Sequence, residues 1–338
     1  MGLARASRQL EETVKKPGPV FAGLANAQVL VTGANGFIAG YLLPRLVECG
    51  ARVIAAAPDL GWRPWVIRLV EEGQITFVKA DALTPEGAEQ LTPYLADLEC
   101  VIHLARVWAQ GSSPLELAVD EINRNLLGTI RFLSIASKLG AGIVYPSSIE
   151  VYGIPERLPL CEDHPLRPIS PYAIAKAAAE GFLKAHSAKN NTAIAIVRYA
   201  TVYGPGELEP RAIPNFIRAA LRGDPPLVDG DGLDVRDYVY VVDVVDATLR
   251  ALVTTRKGFH MYNVGTGIGC KTIDLAWEIV RLTDSNLKPA YRSSDRNPLE
   301  IVCDISKARD ELDYLPAYTL EEGVSAEIKW FRDNTTLW

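Results

Sequence analysis

Six short apolar runs constrain this chain most: Gln28–Thr32, Arg52–Ala56, Ile75–Lys79, Cys100–Leu104, Gly142–Pro146 and Ala193–Tyr199. Between them lie segments of helical length and pattern, such as Phe37–Cys49, Leu115–Lys138 and Tyr172–Lys189. Runs that are apolar at successive positions suit strands buried on both faces, and intervening helices supply the cover. The alternation predicts an α/β fold, a Rossmann-like doubly wound parallel sheet. After Tyr199 the rhythm changes. Turn-rich stretches such as Tyr203-Gly204-Pro205-Gly206, Gly223-Asp224-Pro225-Pro226 and Asp229-Gly230-Asp231-Gly232 break up shorter elements. They predict a smaller C-terminal substrate-binding lobe over the carboxyl ends of the strands, where doubly wound folds bind ligands.

Composition excludes several classes. Nearly half of the 338 residues are apolar, yet no uninterrupted run approaches the roughly 20 that a membrane span needs. Met1 to Lys16 mixes Arg5, Arg8, Glu11, Glu12, Lys15 and Lys16 without an apolar core, unlike a secretory signal. A flexible leader is expected there, ended by Pro17-Gly18-Pro19. Cys49, Cys100, Cys161, Cys270 and Cys303 have neither paired nor metal-like spacing. They read as reduced thiols of a cytoplasmic protein, with no metal site. A net charge of −6 and no basic stripe argue against nucleic acid. A phosphate-bearing ligand remains compatible, because a helix N-terminus and a few arginines meet its charge locally.

Val29-Leu30-Val31-Thr32-Gly33-Ala34-Asn35-Gly36-Phe37-Ile38-Ala39-Gly40 reads as strand, turn and helix. Gly33 permits the sharp turn, and Gly36 lets the backbone approach a pyrophosphate at the helix N-terminus. Dinucleotide sites usually place an acid at the end of the second strand, against the adenosine ribose. Here Ala57 stands there, Asp59 comes two residues late, and Arg63 follows. Either Asp59 reaches the ribose, giving NAD, or Arg63 meets a 2′-phosphate, making NADP possible.

Tyr172 and Lys176, spaced i,i+4, share one helix face, and an ammonium beside a phenol favours the phenolate. Upstream, Ser147 and Ser148 follow the presumed fifth strand, where a hydroxyl faces the crevice.

The glycine turn, the serine pair and the Tyr-x-x-x-Lys, in that order, resemble the extended branch of the short-chain dehydrogenase/reductase superfamily that acts on nucleotide-sugars. The resemblance covers Ala27 to Trp338. It implies a Rossmann domain over residues 27–199, with a returning segment about 233–264. It also implies a nucleotide-sugar lobe over 200–232 and 265–338, and a leader over 1–26. Ser148, Tyr172 and Lys176 match the catalytic set. Gly33, Asn35, Gly36, Phe37, Ile38, Asp59, Asp81, Ala82, Leu104, Ala105 and Asn125, with Tyr172 and Lys176, would hold NAD. The spacing of Asp81 suits a turn cap equally, and Asn125 reads as more structural than catalytic. Ser148, Thr201, Arg236 and Arg296 would contact the substrate, the two arginines clamping its diphosphate.

Glu150 is the unusual member. Dehydratases and decarboxylases of this branch often carry a glutamate there. The dehydratases usually have a polar residue just before it, where this chain has Ile149, and the residues around Tyr172 look more like the epimerase form than the decarboxylase one. The resemblance therefore implies an NAD-dependent enzyme oxidising a nucleoside-diphosphate hexose or hexuronate transiently at C4, a 4-epimerase first. A decarboxylase or 4,6-dehydratase using Glu150 is one alternative, and an NADPH-dependent 4-ketosugar reductase is another. A non-catalytic dinucleotide sensor is a reading from a different class; the intact Ser148, Tyr172 and Lys176 argue against it. Relatives are often homodimers through the tyrosine helix, whose face at Ala173, Ala177, Ala178 and Glu180 permits close packing.

Overall fold

In a computed structural model of the chain, residues 19–255, 257–294 and 297–338 are described. Each strand-forming run divides its side chains between two buried faces, as period-two geometry requires. In β1 (Gln28–Thr32), Val29 and Val31 enter one core and Leu30 the other. There follow α1 (Phe37–Glu48), β2 (Arg52–Ala57), α2 (Pro64–Glu71), β3 (Ile75–Lys79), α3 (Pro85–Leu91) and β4 (Cys100–His103). Next come α4 (Pro114–Asp120), α5 (Leu127–Lys138), β5 (Gly142–Ser148), α6 (Pro171–Asn190) and β6 (Ile194–Tyr199). The chain then runs through β7 (Thr201–Tyr203), α7 (Ala212–Arg222), β8 (Leu227–Asp229) and β9 (Val235–Tyr240). It returns with α8 (Val241–Thr254) and β10 (Phe259–Val264). The last elements are β11 (Gly269–Lys271), α9 (Thr272–Leu282), β12 (Ala290–Arg292), β13 (Glu300–Ile301), α10 (Ser306–Leu312) and α11 (Leu320–Asp333).

Seven strands form one parallel sheet in the order β10-β6-β5-β4-β1-β2-β3. The order reverses between β1 and β4, which opens the ligand crevice at their carboxyl ends. A smaller sheet joins β7, β11 and β13 to β9, and β12 pairs with β8. Ile213, Phe216, Ile217, Leu275, Ile279, Ile328 and Phe331 fill the core of this lobe. No described helix is long and apolar enough to cross a membrane.

Four details differ from expectation. Ser147 and Ser148 end β5 instead of following it. Pro19–Leu24 is a 3-10 turn with Phe21 and Leu24 buried, so the part of the leader from Pro19 on is docked. Val235–Tyr240 belongs to the small sheet, so the return to the large one starts at Val241. The helical pattern of Leu115–Lys138 is interrupted by a π-helical segment, Glu121–Leu126.

Arg198 of β6 and Glu180 of α6 form a buried ion pair, Nη2 to Oε2 at 2.6 Å and Nε to Oε1 at 3.1 Å. Ser147 donates to Glu180 Oε1 at 2.5 Å, and Arg198 Nη1 donates to the Tyr152 hydroxyl at 2.8 Å. Tyr152 in turn donates to Asn263 at 2.7 Å, drawing β10 into the same network. Glu180 therefore faces inward and contributes nothing to an external helix face.

A second buried pair lies where the large sheet meets the lobe. Glu327 of α11 is fully buried with neither carboxyl oxygen hydrogen-bonded, although the Gly204 amide approaches it. Tyr240 Oη and Trp330 Nε1 are also buried without partners. Burial, then the neighbouring Glu207, pushes the Glu327 carboxyl well above its ordinary range. Burial also pushes Glu207 up to about 8, with Arg211 pulling the other way. A folded-state pKa above the unfolded value stabilises the fold while the group stays protonated. That contribution is intact below ~4.3 and lost as pH rises toward about 8. Glu327→Gln removes one of these titrations. Its melting temperature should exceed that of the wild type by on the order of 2–4 °C at pH 8, with a smaller gap at pH 5, as thermal melts would register.

Candidate active site

Backbone geometry builds the turn after β1. Gly33 has φ +68°, and a Cβ there would lie 2.7 Å from the Ala105 amide nitrogen. Gly36 caps α1 without a side chain, so the first amides of the helix, at Phe37 and Ile38, are left for an anion. Asn35 donates to Asp59 Oδ1 at 3.2 Å, and that oxygen also accepts from the Gly61 amide at 2.9 Å. Asp59 is thus fixed beside the turn. Arg63 points the other way. It is buried under α1 and donates to the carbonyls of Asn35 at 2.7 Å and Gly206 at 3.4 Å. A guanidinium held this way is not presented to a 2′-phosphate, so Arg63 gives no support to NADP.

Buried polar bonds align the ends of β1 and β4. Thr32 Oγ1 pairs with His103 Nδ1 at 2.8 Å, and the Ala105 amide donates to the same hydroxyl at 3.2 Å. Burial, then Lys176, holds His103 down to about 3, so the ring is neutral and joins strands. Beyond Leu104 and Ala105, Asn125 clamps Val107, accepting from its amide at 2.9 Å and donating to its carbonyl at 2.8 Å. Asn125 lies on the π-helical segment, which is why that irregularity matters. Asp81 accepts from the Leu83 amide at 3.0 Å and acts as a turn cap, with Ala82 buried behind it.

Ser170 caps α6 by accepting from the Ala173 amide, and Pro171 occupies the first turn. Tyr172 and Lys176 therefore lie at a well-ordered helix start. Lys176 Nζ donates to the Pro146 carbonyl at 2.7 Å and lies 4.5 Å above the Tyr145 ring. Burial, then Arg106, lowers Lys176 to about 7, while Glu121 and Glu180 oppose that shift. Burial raises Tyr172 to about 12. Arg106 lowers it, Glu150 raises it, and Arg211 and the Ser148 hydroxyl lower it. Ser148, Tyr172, Lys176 and Glu150 are thus brought together. Glu150 is exposed and accepts from Ser170 Oγ at 3.5 Å, whereas Ile149 is in the core.

The lobe supplies a cavity of about 530 Å³ lined by Phe216, Arg218, Arg236, Tyr238 and Arg292, among others. Arg236 is oriented by the Leu299 carbonyl at 2.8 Å. Arg292 pairs with Asp229 at 2.6 Å. Arg296 lies outside the described residues, and Arg292, which sequence reasoning passed over, is the arginine of that segment seen in the cavity. Pro210 and Ala212 line the cavity, and Arg211 between them acts electrostatically on Tyr172. Thr201 opens β7 opposite Tyr238, at the seam of the two sheets. Sequence reasoning also missed Arg106, although a charged residue just past the end of β4 is the same crevice signal that drew attention to Ser148.

Fold and site together define a doubly wound, dinucleotide-binding architecture with a tyrosine and a lysine in its crevice. The profile of the NAD dependent epimerase/dehydratase family matches residues 29–265, and the chain belongs to that family. It is 34% identical over 323 residues to a UDP-glucose 4-epimerase of Mycolicibacterium smegmatis, covering 91% of this chain and 99% of that protein. It is 28% identical to a dTDP-glucose 4,6-dehydratase of Streptomyces griseus, covering 92% and 95%. Among solved structures, the UDP-glucose 4-epimerase of Thermotoga maritima with UDP-glucose superposes with a TM-score of 0.80 at 31% identity, covering 92% of this chain and all of that one. The cofactor is NAD, and the uncapped α1 start and Asp59 fit it.

Tyr172→Phe keeps the ring and removes the transferable proton. Turnover should fall by roughly 10²- to 10⁴-fold while the NAD released on denaturation stays at the wild-type amount.

Proposed function

We propose that the protein is a nucleoside-diphosphate-sugar 4-epimerase that works by transient oxidation at C4. The observation that carries this reading is the convergence of Ser148, Tyr172 and Lys176 beside the glycine turn, with buried Ile149 where a second polar group would otherwise stand. Bound NAD supplies the hydride acceptor and, for the return step, the donor. Tyr172 takes the C4 hydroxyl proton and later returns one to the same oxygen, which Ser148 holds by a hydrogen bond. Lys176, anchored on the Pro146 carbonyl, favours the phenolate while it is charged. Reduction of the 4-keto sugar from its other face gives the epimer. Ser148, Thr201, Arg236 and Arg296 contact the substrate in this reading, its diphosphate lying against the lobe arginines. The similarity to UDP-glucose 4-epimerases supports it.

The position of Glu150, close enough to act on Tyr172, favours a second reading in which the ketone drives loss of carbon dioxide or water. Incubating the purified enzyme with UDP-, dTDP-, GDP- and CDP-sugars under mass spectrometry separates the two. The epimerase reading expects NAD on denaturation and an isomerised product of unchanged mass. A product lighter by carbon dioxide or water overturns it and makes Glu150 the central residue. A product formed only when NADPH is added makes the protein a ketoreductase.

We also propose a cytoplasmic homodimer. Leu115, Val119 and Ile122 of α4 and the π segment, and Ile174 and Phe182 of α6, are exposed apolar side chains on helices that pack together. The face expected from the sequence is corrected, since Ala173 and Glu180 point inward. Light scattering should give about twice the 36.9 kDa chain mass. Phe182→Glu should shift it toward one chain, and an unchanged mass would rule out this face.

A further inference from the structure

Arg106, on the loop after β4, is stacked between two rings. Its guanidinium carbon lies 4.1 Å from the Tyr172 centroid and 4.1 Å from that of Trp108. Ring contacts of this kind do not consume the N–H groups of a guanidinium, and its planar edge matches a carboxylate. Among the described residues nothing uses it so: Nε is buried without a hydrogen-bond partner, and no carboxylate lies at ion-pair distance. Glu121 acts on Arg106 only from farther away, and burial raises its own pKa.

The other charges around the tyrosine are accounted for. Arg211 is paired with Glu209 at 2.9 Å and Glu207 at 3.6 Å, and Lys176 is held by a carbonyl. Glu150 is the acid facing Tyr172 and Arg211. The anions of a dinucleotide and a nucleotide-sugar have their own partners too. One pyrophosphate suits the uncapped start of α1, and the other suits Arg236 and Arg292 in the lobe cavity. What remains for Arg106, placed on the ring of the proton-transferring tyrosine, is an anion on the sugar itself.

We infer that the sugar this enzyme handles carries a carboxylate, and that Arg106 is the residue that selects it. The inference rests on the cleft binding a nucleotide-sugar, as proposed above. Its substrate class is nucleoside-diphosphate hexuronates rather than neutral hexoses.

Calorimetric titration of the full-length, NAD-containing enzyme with UDP-glucuronate and UDP-glucose tests this without turnover. A charge-assisted pair of this kind predicts UDP-glucuronate bound roughly 10- to 100-fold more tightly. In Arg106→Gln that ratio should collapse toward one, with NAD content as in the wild type. Arg106→Lys keeps the charge but not the planar fork and should restore part of the ratio, which keeps the test valid should the glutamine variant fail to fold. Equal binding of the two ligands by the wild type, or a ratio that survives in Arg106→Gln, overturns the inference and leaves the nucleotide-sugar reading standing. Binding of neither ligand overturns both.

Discussion

The buried Arg198–Glu180 pair is the contact on which the Tyr172–Lys176 face of α6 depends. Burying two charges is costly, and their attraction offsets that cost only when geometry and additional hydrogen bonds are good. Here Ser147, Tyr152 and the Glu162 carbonyl complete the set. The consequence lies in spacing. Tyr172, Lys176 and Glu180 are successive i,i+4 positions on α6 and share one face. Fixing Glu180 to β6 therefore fixes the rotation of the helix about its axis. The matching partners are three consecutive residues of β5: Ser148 near Tyr172, the Pro146 carbonyl on Lys176, and Ser147 on Glu180. A buried pair is weak grounds for net stability, but it selects one packing of α6 against the sheet, the one that sets Tyr172 and Lys176 against the end of β5.

With the geometry set, the site is governed by competition between desolvation and nearby charge. Burial is the largest influence on both Tyr172 and Lys176, and it disfavours the charged form of each. Lys176 at about 7 is only partly protonated at neutral pH, so it is not a constant source of positive charge. Arg106 is the second cation acting on both groups. Its presence lowers Tyr172 and also contributes to the fall of Lys176. Arg106 thus draws both groups down, Tyr172 against the effect of its burial and Lys176 in the same direction as its burial.

How much of this was legible depends on whether the interaction is local in sequence. The glycine turn, the strands and the Tyr172–Lys176 spacing are local patterns, and most strand boundaries fall within a residue or two of those expected. Residues that act across elements were not legible. Nothing near Glu180 in the sequence points to Arg198, so an alanine-rich stretch read as an external packing face although Glu180 lies inside it. The π-helical segment has no local signature either. It places Asn125 against Val107, a contact between residues 18 positions apart. In the lobe, β12 forms by pairing with β8, a contact far away in sequence that decides that Arg292 lines the cavity.

Cofactor choice shows the same limit from another side. Asp59 and Arg63 stood open as rival partners for the ribose end, because charge and position in the sequence suited both. Packing separates them. Gly40 leaves room for the Arg63 side chain, since a Cβ there would lie 2.5 Å from its Cδ. The guanidinium then bonds the Asn35 carbonyl within the glycine turn and reaches the Gly206 carbonyl at the start of the lobe. Burial lowers Arg63 to about 10, still far above neutrality, so a full charge is held there by carbonyl dipoles. Turning it outward toward a phosphate would leave both carbonyls without this donor and would loosen the turn that binds the dinucleotide. The residue that looked like a specificity element is a brace for the turn, held there by its bonds to the Asn35 and Gly206 carbonyls.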